Sequence, residues 1–84
     1  MWVEVNNELT KSYEFGNFLE AFDFMQRIAL IVNELDHHPS WSNSYNIVEF
    51  KLSTHEAGNA ITAKDYQLAY EIEKVYNQLA NNPL

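Results

Sequence analysis

Polar and apolar side chains alternate near the start of the chain. The alternating positions are Val3, Val5, Leu9, Lys11, Tyr13 and Phe15. A period of two residues is typical of a β-strand. Asn6 and Asn7 interrupt the alternation, and asparagine tolerates the positive φ angles of a tight turn. This segment is therefore predicted to form a β-hairpin.

From Asn17 to about Asp36 the apolar residues follow a helical period instead. They lie on two neighbouring lines, which together cover roughly half the circumference at ~100° per residue. One line holds Phe18, Phe22, Met25, Ala29 and Val32, and the other holds Phe24, Ile28, Ile31 and Leu35. Leu19 and Leu30 fall on the otherwise polar side. So broad a face fits either a deeply buried core helix or a helix that packs on its own sheet and on a second subunit.

Pro39 ends the helical segment, because the residue before a proline avoids the α region. Trp41–Tyr45 then has the pattern of a short strand, and Ile47–Ser53 that of a clearer one. The buried side of the clearer strand would consist of Val48, Phe50 and Leu52. The histidine at position 55 follows this strand, and continued alternation places it on the polar side.

A loop through Gly58 precedes a second predicted helix from Ala63 to about Ala80. Thr62 and Asp65 have the spacing of a capping box at its first turn. The inward stripe of this helix would consist of Leu68, Ile72, Val75 and Leu79. The order β-β-α-β-β-α predicts an α+β fold, in which a four-stranded antiparallel sheet has its helices packed on one face.

Length and charge limit the possible functions. The 84 residues predict a single domain over positions 1–84. The net charge of −7 and five scattered basic residues argue against nucleic acid and against an anionic membrane surface as partners. The longest apolar run is far short of the ~20 residues of a membrane span. Since no signal-peptide pattern is visible either, we expect a cytoplasmic protein. The absence of cysteine excludes disulfides and thiolate chemistry.

The chain has three histidines, and all three lie at predicted element ends. His37 and His38 follow the long helix, and His55 follows a strand. A single histidine in such a place is usually an ordinary surface residue, but three together favour acid–base chemistry, because an imidazole with a pKa of ~6.5 both donates and accepts protons near neutral pH. Asp65 lies on the inward stripe of the second helix. It is either a helix-capping acid or a carboxylate directed towards the sheet edge where His55 emerges.

These residues resemble the signature of the pterin-4a-carbinolamine dehydratases. The matching segments are Glu34-Leu35-Asp36-His37-His38-Pro39, an aromatic Tyr45 five residues later, Ser53-Thr54-His55-Glu56, and Asp65. Trp41 to Asn46 resembles the family's Trp-x-Asn-x-Tyr-Asn stretch, and Phe18 to Arg27 resembles its long helix. The resemblance extends from Trp2 to about Ala69. Three departures are Asn33 at a position that is usually acidic, a loop before Asp65 that is one residue longer, and no counterpart of the family's further N-terminal helix.

The resemblance implies a hydro-lyase that converts 4a-hydroxytetrahydropterin to quinonoid dihydropterin and water, in support of tetrahydrobiopterin recycling. It implies His37, His38 and His55 as the acid–base and positioning groups, with no metal and no organic cofactor. The substrate-binding residues that it implies are Asn33, Asp36, Pro39, Asp65 and Trp2. For Trp2, packing on the sheet is an equal alternative. Family members are commonly homo-oligomers, so a homodimer or homotetramer is expected.

Two other functions compete with this one. Some relatives act as regulatory or assembly partners of other proteins, and the broad apolar helix suits such a role. A metal site built from the three histidines is the second alternative. Adjacent helical residues such as His37 and His38 point ~100° apart, so they would converge poorly on one ion.

Overall fold

A computed structural model describes residues 1–81 of the chain. Its elements are β1 Val3–Val5, β2 Glu8–Glu14, α1 Phe18–Leu35, β3 Ser40–Ser44, β4 Ile47–Leu52 and α2 Ala63–Asn81, with a short 3₁₀ turn at His55–Ala57. The four strands form one antiparallel sheet in the order β1-β2-β4-β3. The predicted α+β class and element order are confirmed. The predicted single domain reaches residue 84, and its last three residues lie outside the described part.

Two tight turns join the strands into hairpins. Asn6 and Asn7 have φ angles of 52° and 64° between β1 and β2, as predicted for this asparagine pair. Tyr45 has a φ of 52° between β3 and β4. That conformation is uncommon for an aromatic residue, and for this reason the Tyr45 turn left no clear signal in the sequence.

One face of the sheet is apolar and carries both helices. In antiparallel pairs, directly opposed residues share a face. Leu9 therefore lies beside Leu52, and Tyr13 beside Val48. These four side chains and Phe50 are buried beneath the helices. The alternation in β2 and β4 thus predicted the correct inward face.

Helix α1 begins at a capped residue and buries only part of its apolar surface. The side chain of Asn17 accepts a 2.9 Å hydrogen bond from the Glu20 amide, which satisfies one of the free N–H groups of the first turn. The buried residues of α1 are Ala21, Phe24, Ile28 and Val32. Its exposed apolar strip consists of Phe18, Leu19, Phe22, Ala29 and Leu30. Within this chain α1 is therefore not a deeply buried core helix, and the first alternative for its breadth is excluded.

Helix α2 packs on the sheet through Leu68, Ala69, Ile72 and Val75, with Leu79 half-buried at its end. A polar cluster adds to this contact. The Glu73 carboxylate accepts hydrogen bonds from Lys11 Nζ at 2.7 Å and Tyr13 Oη at 2.6 Å. Partial burial alone would raise the pKa of Glu73, but the two hydrogen bonds outweigh it and lower that pKa. Burial, followed by the Glu73 carboxylate, raises the pKa of Tyr13.

Neither helix within residues 1–81 combines the length and the apolar character that crossing a bilayer requires.

Candidate active site

The turn after α1 directs His37 into the protein. Asp36 adopts the left-handed conformation with a φ of 51°, which aspartate tolerates better than most residues. The His37 amide bonds to the Val32 carbonyl and the Asp36 amide to the Asn33 carbonyl, each at 3.3 Å. This pair of bonds is a Schellman motif, which reverses the chain at a helix end. As a result, the His37 side chain is only 10% exposed.

A buried carboxylate receives the His37 imidazole. Nε2 of His37 lies 2.7 Å from Oδ1 of Asp65, whose side chain is 0% exposed. The other oxygen, Oδ2, accepts a hydrogen bond from the Thr54 hydroxyl at 2.8 Å and one from the Thr62 amide at 2.9 Å. A buried charge is tolerated only where hydrogen bonds compensate for the lost water. Three donors provide that compensation for Asp65.

The Asp65 contact fixes where His37 carries its proton. An ionised carboxylate has no hydrogen to donate, so Nε2 of His37 is the donor. In the neutral ring, Nδ1 then keeps a free lone pair. Within residues 1–81, every fully buried side-chain nitrogen or oxygen has a hydrogen-bond partner except Nε1 of Trp2. Nδ1 of His37 has no hydrogen-bond partner in this part of the chain, so it is not fully buried. Solvent therefore reaches this nitrogen, as a proton acceptor requires.

The other two histidines are exposed. His55 lies in the 3₁₀ turn after β4, where its Nδ1 is 3.2 Å from Oδ1 of Asn59. An amide oxygen only accepts, so Nδ1 of His55 donates and Nε2 has the free lone pair. The His38 side chain is 68% exposed, and its Nε2 lies 3.9 Å from Asp36 Oδ1, too far for a hydrogen bond. The prediction that His55 points to the polar side is correct, although the strand ends at Leu52 and the turn, not continued alternation, exposes it.

Glu56 lies in the electrostatic field of two of these histidines. The pKa of its carboxyl is lowered, first by a hydrogen bond from its own backbone amide, then by Lys64, and also by His55 and His37. Thr54 lies between His37 and His55, because it contacts the partner of one and precedes the other in sequence. Its hydroxyl contacts Asp65, the partner of His37, and the residue after it is His55. The structure therefore brings His37, Asp65 and the His55 turn into one region.

The predicted substrate-binding residues fall in different surroundings. Asn33 and Asp36 are exposed at the end of α1, and Pro39 is half-buried before β3. Trp2 packs on the core instead, with its ring centroid 6.3 Å from that of Tyr13 and 6.1 Å from that of Phe50. The packing alternative for Trp2 thus describes its observed position, and a contact with substrate stays a prediction.

Asp65 caps α2 and also lies at the end of the sheet from which His55 emerges. Its Oδ2 accepts from the Thr62 amide and so forms one half of the predicted capping box, while the Thr62 hydroxyl oxygen accepts from the Lys64 amide. Its Oδ1 contacts His37, and its Oδ2 contacts Thr54, the residue before His55.

Thr54 was missed as a site residue. Its sequence signals were its place in the Ser53-Thr54-His55-Glu56 motif and its position between the end of a strand and a histidine. An isolated β-bridge pairs Thr54 with Ala60, next to the position where its hydroxyl contacts Asp65.

Two other features of the molecule bear on where a site could lie. No group of three histidine, cysteine or acidic side chains within residues 1–81 is arranged to hold a metal ion. A cleft of about 410 Å³ lies between the β2–α1 connection and the end of α2, where Phe15, Leu19, Tyr76 and Leu79 contribute to its lining. None of the three histidines lines it.

The fold and the site define a small α+β protein that holds an imidazole on a buried carboxylate and presents a free ring nitrogen. Residues 1–75 match the family model described as pterin 4 alpha carbinolamine dehydratase. The chain belongs to this family, as the sequence motifs predicted.

Known proteins agree with this assignment. The chain is 52% identical over 67 residues to a protein of Rhodospirillum rubrum, covering 80% of this chain and 69% of the relative. It is 45% identical over 76 residues to one of Prochlorococcus marinus (strain NATL2A), covering 90% and 79%. Both carry the name "Putative pterin-4-alpha-carbinolamine dehydratase".

Two solved structures have the same fold. The transcriptional coactivator/pterin dehydratase from Brucella melitensis is 38% identical, with a TM-score of 0.83 over 88% of this chain and 80% of that one. A pterin dehydratase-like protein identified as a RuBisCO assembly factor in the alpha-carboxysome is 16% identical, with a TM-score of 0.73 over 89% and 86%. The second similarity concerns the fold alone.

Proposed function

We propose that the protein is a hydro-lyase that dehydrates 4a-hydroxytetrahydropterin to quinonoid dihydropterin, and so supports tetrahydrobiopterin recycling. The observation that carries the proposal is the 2.7 Å contact between buried Asp65 and His37, in a chain of the dehydratase family. A carboxylate that orients an imidazole is a common arrangement for acid–base catalysis.

The reaction requires only proton transfers from the protein. The lone pair of N5 of the pterin forms a new π-bond to C4a as the C4a–O bond breaks. The departing hydroxyl takes a proton from an acid and leaves as water, and the N5 proton passes to a base. No electrons enter or leave the substrate. General acid and general base assistance each contribute roughly 10²- to 10⁴-fold.

The surroundings of the three histidines suggest different roles. His37 has a free lone pair on Nδ1, and the buried Asp65 would stabilise the imidazolium that forms when Nδ1 accepts a proton, so His37 is suited to be the base. His38 and His55 are exposed, and they exchange protons readily with water. One of them would supply the proton to the hydroxyl, and the other would position the ring. Asn33, Asp36 and Pro39 lie beside them in sequence and would contact the pterin.

The test is a stopped-flow dehydration assay on a 4a-hydroxytetrahydropterin. The wild-type chain should accelerate dehydration, and His38→Ala and His55→Ala should each lower the rate by at least ~10²-fold with an unchanged circular dichroism spectrum. Gln26→Ala, an exposed change on α1, serves as the control and should retain the wild-type rate. Wild-type rates in both histidine variants would exclude the mechanism.

A role as an assembly partner is a second candidate, and the exposed strip of α1 is the observation that favours it. Leu19 is 75% exposed and Leu30 73%, and an apolar strip on a soluble protein is often an interface. The strip would first serve self-association into a homodimer or homotetramer. A partner protein that needs no catalysis also needs no intact set of histidines, so the same assay separates the two functions.

A further inference from the structure

Two threonine hydroxyls lie in series behind the Asp65 carboxylate. The Thr54 hydroxyl is 2.8 Å from Oδ2 of Asp65, the oxygen that His37 does not contact. The Thr62 hydroxyl is 2.6 Å from that of Thr54. Thr54 is buried and Thr62 half-buried, so solvent competes poorly for these hydrogen bonds. The four side chains form one connected polar chain inside the protein.

The direction of every hydrogen bond among these four side chains follows from counting their hydrogens. A hydroxyl has one hydrogen and a carboxylate has none. Thr54 therefore gives its hydrogen to Asp65, and has none left for Thr62. The Thr62 hydroxyl must donate to Thr54, and its own oxygen accepts from the Lys64 amide at 3.3 Å. The bonds run one way, from the backbone of α2 to Asp65.

We propose that Thr54 and Thr62 are positioning residues whose hydroxyls form a directed relay that fixes the tautomer of His37. The terminal torsion of an aspartate is broad, so the Asp65 carboxylate does not hold its orientation unaided. The hydrogen bond from Thr54 fixes the position of Oδ2, and Oδ1 therefore stays within hydrogen-bond distance of Nε2 of His37. Without the Thr54 hydroxyl, only the Thr62 amide holds Oδ2. The carboxylate then turns, and His37 is free to carry its proton on Nδ1.

The variants that test the relay are Thr54→Val, which keeps the shape and removes the donor, and Thr54→Ser, which keeps the donor. Thr62→Val removes the second hydroxyl without changing Thr54. Thr10→Val is the matched control, because Thr10 lies on strand β2 outside the polar chain. Nitrogen-15 NMR of the histidine rings identifies the protonated nitrogen of His37 directly. This measurement requires no catalysis.

We expect the wild-type chain, Thr54→Ser and Thr10→Val to hold His37 in the Nε2–H form. Thr54→Val should show a mixture with the Nδ1–H form, and Thr62→Val a smaller admixture. A folded Thr54→Val chain that keeps the wild-type tautomer overturns the proposal, whatever its rate. If Thr54→Val does not fold, an unchanged tautomer in Thr62→Val overturns it instead.

The kinetic consequence rests on the proposed dehydratase function, whereas the tautomer does not. In the dehydration assay, Thr54→Val should lower kcat on the order of tenfold with a nearly unchanged KM, and Thr54→Ser should restore it. A wild-type chain without activity would refute the function, and the tautomer measured by NMR would still support or overturn the relay.

Discussion

Replacing Asp65 by asparagine tests the site with the smallest change of shape. The amide oxygen should occupy the Oδ2 position, because the Thr54 hydroxyl and the Thr62 amide both donate there. In the opposite orientation, the NH₂ group of the asparagine would face the Thr54 hydroxyl and the Thr62 amide, and no hydrogen bond forms between two donors. The NH₂ group then faces Nε2 of His37, which lies 2.7 Å from Oδ1 in the native chain. Nε2 must accept this hydrogen bond, so the His37 proton moves to Nδ1 and the exposed lone pair is lost.

Asp65→Asn should lower the dehydration rate strongly, while the chain stays folded. Where an asparagine imposes the wrong tautomer on a catalytic histidine, the geometry survives while catalysis falls by about 10⁴-fold, and loss of a general base costs roughly 10²–10⁴-fold. We therefore expect Asp65→Asn to lower the dehydration rate by at least ~10²-fold. Weaker hydrogen bonds in place of those to a charged group should cost about 1–3 kcal/mol. That lies within the roughly 5–15 kcal/mol by which small domains are stable.

The measurements are the dehydration rate, the melting temperature and the protonation state of His37 by nitrogen-15 NMR. Asp23→Asn is the matched control, because it removes an i,i+4 ion pair with Arg27 on the surface of α1, and such pairs contribute little. The control should keep both rate and tautomer. A folded Asp65→Asn chain within tenfold of the wild-type rate would refute the reasoning. An NMR result that leaves the proton on Nε2 would refute it equally.

Three further predictions concern other parts of the molecule. Dialysis against a strong chelator should change neither activity nor melting temperature, whereas zinc that is required for turnover would contradict the mechanism. Leu30→Glu should shift sedimentation towards the monomer without loss of helical signal, and a wild-type monomer at micromolar concentration would contradict self-association. Glu73→Gln should lower stability by about 0.5–1 kcal/mol at pH 7. The folded-state pKa of Glu73 lies below its ordinary 4.5. The difference in unfolding free energy between the wild-type chain and the variant should therefore persist above pH 4.5 and vanish as the pH falls through the lowered pKa. Urea titrations at several pH values measure this difference.

Local patterns were sufficient to predict the elements of this fold. The alternation in β2 and β4 is clean because one face of each strand packs on helices and the other does not. The asparagine pair predicted the first turn because few other residues adopt positive φ so readily. The sequence also predicted the breadth of the apolar face of α1. It did not predict which surface packs against that face, because Phe22 and Leu30 are exposed in the single chain.

The site was predicted only in part, because its contacts join residues far apart in the sequence. Asp65 and His37 are 28 positions apart, and no local period reports such a pairing. The motif identified both residues, but the pairing of Asp65 with His37 instead of His55 depends on the Schellman turn at Asp36. Thr54 was part of a matching motif, but its role was not predicted, because a threonine after a strand is ordinary until its contact with Asp65 is known.

The buried carboxylate of Asp65 has two roles that usually belong to different residues. It accepts from the Thr62 amide and thereby starts α2, and it holds His37 at the end of α1. In both roles the carboxylate oxygens act as hydrogen-bond acceptors. Removing the His37 ring should therefore leave the start of α2 intact, because the cap does not depend on it. Removing the carboxylate disturbs both at once, so activity and the stability of α2 should fall together at position 65, whereas at position 37 activity should fall and the start of α2 should stay intact.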